Sequence, residues 1–289
     1  MAGIKELRGR ITSIGNIKQI TRAMEMVATT KLRRFQDRAI SSRPYTEEVA
    51  GLVGRLAAVL GDSVSDRPLF NAGGGDRTLC LLVTSDRGLC GAYNSNLLRF
   101  TEHWKDDLGR EVDFFVYGRK GATYLKKRGY PMARFLTEPK LEGMDFTSAA
   151  ITARMLTKEF LSGKYRDVVL MFSAFESMAR YQPTAVPFLP ISSEALGVEE
   201  VAGGGDVILE PDAESIFDNL IPRYLETRVY NTLVESLTSE YASRRFAMKN
   251  ATDAATDMQK VLKGIYNRKR QEGITTDLLD IVGGAEALR

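Results

Sequence analysis

Apolar residues at the start of the chain recur at Ile4, Leu7, Ile11 and Ile14, a spacing of three and four that keeps one stripe on one face of a helix. The stripe resumes at Ile17, Ile20, Met24 and Val27. The steps from 14 to 17 to 20 form a stammer, which would locally overwind a coiled coil. Gly15 and Asn16, both poor helix formers, sit at that point. The first proline is Pro44, where the pattern predicts the helix to end.

A second periodic stretch closes the chain. Val234, Leu237, Tyr241, Arg244, Met248, Ala251, Ala255, Met258, Leu262 and Ile265 alternate steps of three and four, long enough to predict a coiled coil. Ala251 and Ala255 would admit a close partner helix. Helix from Arg223 to Leu288 would run roughly 100 Å, against about 50 Å for a compact globule of this chain length. It is therefore expected to project, with the N-terminal helix packed antiparallel on it; homodimerisation is the less economical alternative.

Between them the pattern changes. Leu79–Thr84, Val112–Tyr117 and Val168–Ala174 read as strands, Arg134–Thr137 as a short one, and Ser95–Asp107, Lys120–Lys127 and Ser148–Leu161 as helices. Strands alternating with helices predict a mostly parallel sheet. The fold class expected is α/β: an antiparallel coiled coil of the terminal helices plus a central Rossmann-like domain. The segments are 1–60, 76–200 and 210–289, with glycine runs at 73–75 and 203–205 as loops or linkers.

Charge adds a division that the total of +3 hides: residues 1–40 carry +6, residues 223–289 carry +2, and the middle carries −5. Positive ends suggest contact with something negative. No apolar run approaches the roughly 18 residues of a membrane span, and the first ten residues lack the apolar region of a secretory signal. Two cysteines, Cys80 and Cys90, give no disulfide framework, and the single His103 excludes multi-histidine metal sites. These features predict a soluble intracellular protein with no cofactor and no metal.

The segment Ser85-Asp86-Arg87-Gly88-Leu89-Cys90-Gly91 follows a strand and precedes a helix, a place where α/β proteins often bind anions. Its glycines fit no dinucleotide fingerprint, and no phosphate-binding loop motif occurs in the chain. Cys90 has no evident paired base, so a tight structural turn is expected rather than a nucleophile. The acid pairs Asp106–Asp107 and Glu199–Glu200 read as solvated. Lys31, Arg33, Arg34 and Arg268, Lys269, Arg270 form basic clusters, which suit an acidic protein surface; nucleic-acid or scaffold binding is the alternative.

Several blocks resemble one family. Ile11 to Thr21 with Ala23 to Ala28 resembles the N-terminal helix of the gamma subunit of ATP synthase, and Ser85 to Gly91 resembles that family's central turn. Ser239-Glu240, Arg244, Ala247-Met248, Ala251-Thr252, Asn267 and Arg270-Gln271 resemble its C-terminal helix, and Ile274 to Ala285 its signature.

The resemblance implies a rotor shaft without an active site, threaded through a ring of alpha and beta subunits. Its globular domain would meet epsilon and the membrane-embedded c-ring, touching the membrane only through partners and binding no nucleic acid. It implies rotor–ring contacts at Met24, Glu240, Arg244, Arg270, Gln271, Thr275 and Asp277, with Arg270 and Gln271 forming a catch on beta. Asp277 stands where the family usually has glutamate. A central-domain turn at Asp86, Arg87, Gly88, Cys90 and Gly91 is also implied. The location implied is the cytoplasmic face of a bacterial inner membrane.

Overall fold

The computed structural model describes residues 3–64, 66–178, 180–192, 196 and 212–286. The chain divides into two compact units, Met1–Thr29 with Arg244–Arg289, and Thr30–Ser243. Two helices run through both: α1 (Ile4–Leu60) and α5 (Ala213–Glu286).

Both helices outrun their predicted ends, and both continue through a proline. Pro44 lies inside α1 and Pro222 inside α5. A helical proline removes the hydrogen bond to the carbonyl four residues back. Here those carbonyls belong to Ile40 and Asp218, and they and both prolines are exposed, so water can take the place of the missing donor. The opposite faces supply the driving force: Val49, Val53 and Leu56 are buried beyond Pro44, and Phe217, Ile221, Tyr224 and Leu225 flank Pro222. Each fully buried side chain of this kind contributes about 1.5–3 kcal/mol.

Unit Thr30–Ser243 is built on a five-stranded sheet, with β1 (Arg77–Val83), β2 (Val112–Tyr117), β3 (Met132–Leu136), β4 (Tyr165–Ser177) and β5 (Arg180–Leu189). The order is β3-β2-β1-β4-β5. Cys80 of the central β1 pairs in parallel register with Phe114 and Val169. Beyond the half-buried Arg77, β1 and β2 are buried throughout and apolar apart from Thr78 and Asp113, as central parallel strands are. Helices α2 (Tyr93–Leu108) and α3 (Arg119–Arg128) follow β1 and β2, and α4 (Phe146–Leu161) precedes β4. Leu97, Leu98, Ala122 and Leu125 pack on Cys80, Leu82, Phe114 and Val116 in the core.

Two expectations need correction here. Strand β5 has no counterpart in the sequence reading, and it carries Pro183 and Pro187, residues that disfavour a strand interior. It is an antiparallel edge strand, the one place in a sheet where proline is tolerated. The glycines at 73–75 form a loop, as one of the two readings had it, but a packed one rather than a linker. Gly73 N–H donates to Arg166 O (2.9 Å), and a Cβ on Gly73 or Gly75 would lie 2.0 Å from the carbonyl oxygen of Tyr165 or Lys164. Glycine is there because two backbones touch. The run at 203–205 and the pair Glu199–Glu200 lie outside the described residues.

In the other unit α1 and α5 are antiparallel. Thr21 Oγ1 accepts from Thr252 Oγ1 (2.9 Å), Gly15 faces Gln259 and Ile4 faces Gly273, so one helix descends as the other ascends. The seam runs through Leu7, Ile11, Ile14, Lys18, Thr21, Glu25 and Ala28, an unbroken heptad with no stammer. On α5 it runs through Met248, Thr252, Ala255, Gln259, Leu262, Tyr266, Lys269 and Gly273, equally regular. The apolar stripe read from the sequence departs from this seam after Ile14 and after Met248. It had followed hydrophobicity, whereas the packing followed 3.5-residue geometry and accepted polar side chains.

Candidate functional site

The turn after β1 owes its form to hydrogen bonds within unit Thr30–Ser243. Ser85 N–H donates to Asn94 Oδ1 (3.1 Å), Asn94 Nδ2 donates to Ser85 Oγ (2.7 Å) and to Cys90 Sγ (3.1 Å), and Ser243 Oγ donates to Cys90 O (2.6 Å). Leu89 and Gly91 take left-handed backbone, with φ of 61° and 57°. Cys90 is buried and engaged in this lock, an arrangement that fits a structural turn and leaves no open approach for a nucleophile. Burial also pushes the Cys80 thiol far above its ordinary range.

The same turn caps a helix. The first amides of a helix have no partner within it. Arg119 N–H donates to Asp86 Oδ1 (3.1 Å), Lys120 N–H to Ser85 O (3.1 Å) and Gly121 N–H to Thr84 Oγ1 (2.8 Å). Three consecutive loop residues thus satisfy three consecutive amides of α3. Gly118 (φ 91°) and Gly121 permit this approach: a Cβ would lie 2.1 Å from Thr84 O and 2.7 Å from Thr84 Oγ1 respectively.

Asp86 and Arg87 also line a small pocket with Arg119, Lys140, Glu142 and Glu240. One candidate ring contact, Glu240, therefore lies beside the turn, buried rather than presented to a partner. The strongest group nearby was missed by the sequence reading. Glu142 accepts from Lys31 Nζ (2.5 Å) and from Tyr241 OH, tying the loop before α4 to both α1 and α5. Burial works against the Glu142 carboxylate, but the bonds from Lys31 and Tyr241 outweigh it and hold its pKa below the usual range. Lys31, read as part of a basic cluster facing outward, is used internally. Arg33 and Arg34 remain exposed beside an open hollow of about 540 Å³. Glu142 carries no motif, so sequence alone offered no signal for it.

In the helix-pair unit Met24 is half-buried, Arg244 is buried, and Arg270, Gln271, Thr275 and Asp277 are exposed near the end of α5. Arg244 and Gln271 are roughly 40 Å apart along α5, so this chain does not gather the candidate contacts into one cluster. The outer surface is the unusual feature. Ile17, Ile20, Met26 and Val27 on α1 and Met258, Val261, Ile265, Ile274, Leu278, Leu279, Ile281 and Val282 on α5 are exposed, Ile20 and Val261 by 60% and 62%. The seam holds Lys18, Thr21, Glu25, Thr252 and Gln259 while these apolar residues face outward.

Among the described residues no three His, Cys, Asp or Glu side chains are grouped to hold a metal ion, and no helix is long and apolar enough to cross a membrane. The profile of the ATP synthase family matches residues 3–288. An ATP synthase gamma chain from Cytophaga hutchinsonii is 40% identical, covering 100% of this chain and 99% of its own length. The chain belongs to the ATP synthase gamma chain family. A gamma chain from Aquifex aeolicus is 37% identical over 99% of this chain and 97% of that relative. Among solved structures, a chain of the Tetrahymena thermophila mitochondrial ATP synthase central stalk and c-ring assembly matches with a TM-score of 0.60 and 26% identity, covering 80% of this chain and 99% of that one. A chain of the Euglena gracilis mitochondrial enzyme shares the fold, with a TM-score of 0.68 at 19% identity over 99% and 94%. The gamma-chain blocks at Ile11–Ala28 and Ile274–Ala285 thus lie on the helix pair, and the block at Ser85–Gly91 is the capping turn of α3.

Proposed function

We propose that this chain is the central-stalk gamma subunit of a proton-translocating ATP synthase and has no catalytic centre of its own. Residues 1–60 and 210–289 form the shaft inside a ring of alpha and beta subunits, and residues 76–200 form the domain that meets epsilon and the c-ring. The observation that carries the reading is the outer face of the helix pair: apolar side chains lie exposed along both helices, while Lys18, Thr21, Glu25, Thr252 and Gln259 take places in the seam beside its apolar residues. Exposed apolar side chains in such number on two helices favour a surrounding protein sleeve. Proton flow turns the shaft, and its asymmetry presents different contacts to three equivalent catalytic sites, shifting their affinities unequally.

Within that reading Arg270 and Gln271 form a directional catch on beta, for which a guanidinium and an amide supply several donors. Arg244, Glu240, Thr275 and Asp277 tune rotor coupling, Glu240 through its place beside the Asp86–Arg87 turn. The complex sits on the cytoplasmic face of a bacterial inner membrane, with this chain attached through its partners. A mild-detergent isolation of the tagged chain from its native membranes tests the reading. Recovery of alpha, beta and epsilon with ATP hydrolysis, from a chain inactive alone, is the expected result. A chain that comes down alone, or with nucleic acid, overturns it.

A further inference from the structure

Helices α2 and α3 enclose an open groove of about 550 Å³ on one face of the sheet. Its walls carry Arg99, Lys120, Lys127 and Arg128 against one acid, Glu102, and its lining includes Leu98 and Tyr124. Arg128 is engaged: it pairs with Glu102 (3.1 Å) and lies 5.5 Å from the centre of the Tyr124 ring. The side chains of Arg99, Lys120 and Lys127 have no hydrogen bond or ion pair among the described residues. Several cations elsewhere in this unit are matched: Arg77 and Lys164 by Asp113, Arg110 by Asp167 and Arg154 by Glu226. The three unmatched cations therefore share one concavity and produce a positive potential that nothing described in the fold neutralises.

We infer that the α2–α3 groove is a docking surface for an acidic peptide segment of a partner protein. The shape and charge of the groove select this occupant. Lys120 and Lys127 are two helical turns apart, about 10 Å along α3, so the positive charge is spread along a helix rather than gathered at one point. Carboxylates two or four residues apart lie on one face of an extended segment, roughly 7 or 13 Å apart, and bracket that distance. The apolar side chains of Leu98 and Tyr124 can receive an intervening apolar residue, which a free anion lacks. A flat lipid surface cannot enter a concavity between two helices. Complementary charge of this kind sets register and association rate more than affinity.

The inference rests on the groove itself and holds whether or not the chain turns as a rotor. Its test uses the full chain in its native complex with a photoreactive benzoylphenylalanine at Thr123, exposed on the α3 wall, or at Ser95 if that variant fails to assemble. Irradiation followed by peptide mass spectrometry is expected to capture a partner peptide with two or more Asp or Glu residues. Crosslinks only to lipid, only within the chain, only to neutral or basic peptides, or to nothing in an intact complex overturn the proposal. In a second measurement, fluorescein-labelled hexaglutamate is titrated onto the purified chain. Lys120→Glu with Lys127→Glu is expected to weaken binding at least about fourfold, from the low end of the range for two exposed ion pairs turned from attraction to repulsion. Equal binding by parent and variant, or full displacement by inorganic phosphate at constant ionic strength, contradicts a peptide site.

Discussion

Replacing Thr84 by valine tests whether the loop after β1 holds α3 through its side chain. Thr84 is fully buried, and its hydroxyl is shared between Tyr117 O (2.9 Å) and Gly118 O (3.2 Å) as donor and accepts from Gly121 N–H (2.8 Å). Valine keeps the branched shape and loses these bonds. Tyr117 O still receives Thr84 N–H (2.9 Å) and Gly118 O receives Ala122 N–H (3.3 Å), so only the Gly121 amide is orphaned. A buried donor left without an acceptor costs about 1–3 kcal/mol, and roughly 2 kcal/mol corresponds to about a thirtyfold change in an opening equilibrium. The assay is amide hydrogen exchange of the full chain, resolved at residues 118–125. Thr84→Val should lose roughly thirtyfold in protection there, with little change in α2 or α4. Thr84→Ser keeps the hydroxyl and loses one buried methyl, about 1 kcal/mol, and should preserve protection at Gly121. Equal protection at Gly121 in the valine and serine variants would refute the capping argument.

Three further outcomes follow from particular contacts. Burial disfavours the Asp113 carboxylate, but bonds from Lys164, Arg77 and Tyr165 outweigh it and lower its pKa; the stability it adds should be complete above the unfolded value, about 3.9, and fade as pH falls through the lower folded value. Asp113→Asn should flatten that acid limb in a pH series of thermal unfolding; an unchanged limb would count against it. Gly118→Ala, forced into φ 91° with a Cβ 2.1 Å from Thr84 O, should yield little folded protein, which circular dichroism and soluble yield would report; normal yield would contradict the close packing. Met24→Lys in the assembled enzyme should lower ATP-driven proton pumping while hydrolysis persists, measured as a pumping-to-hydrolysis ratio; an unchanged ratio would remove Met24 from the coupling contacts.

Much of the fold was legible because central strands and long helices carry strong periodicity. β1 announces itself by the apolar run Leu79–Val83 and β2 by Phe114–Tyr117, and the helix pair by steps of three and four. What stayed hidden depended on compensation at a distance. Pro44 and Pro222 look like stops until they prove to lie on exposed faces of helices whose opposite faces are buried, and β5 looks broken until it proves to be an edge. The seam was harder still. Ile17, Ile20 and Val27 are more hydrophobic than Lys18, Thr21 and Glu25, so a reading by hydrophobicity chose the outer face. That choice fails for a helix pair that leaves apolar residues exposed on its outer face. For the turn at Ser85–Gly91 the sequence suggested a tight structure but not its use, because the amides it caps lie more than thirty residues on. Glu142 left no trace for the same reason: its two partners come from opposite ends of the chain.

The central claim is that the helix pair turns within a ring. The most direct test places one cysteine on α5 near the middle of the shaft and one on the facing beta subunit; the native Cys80 and Cys90 are buried and leave the pair to react alone. Oxidation should join the two and stop ATP-driven proton pumping, and reduction should restore it in full. Undiminished coupled turnover with the crosslink verified in place would contradict rotation of this chain against its ring.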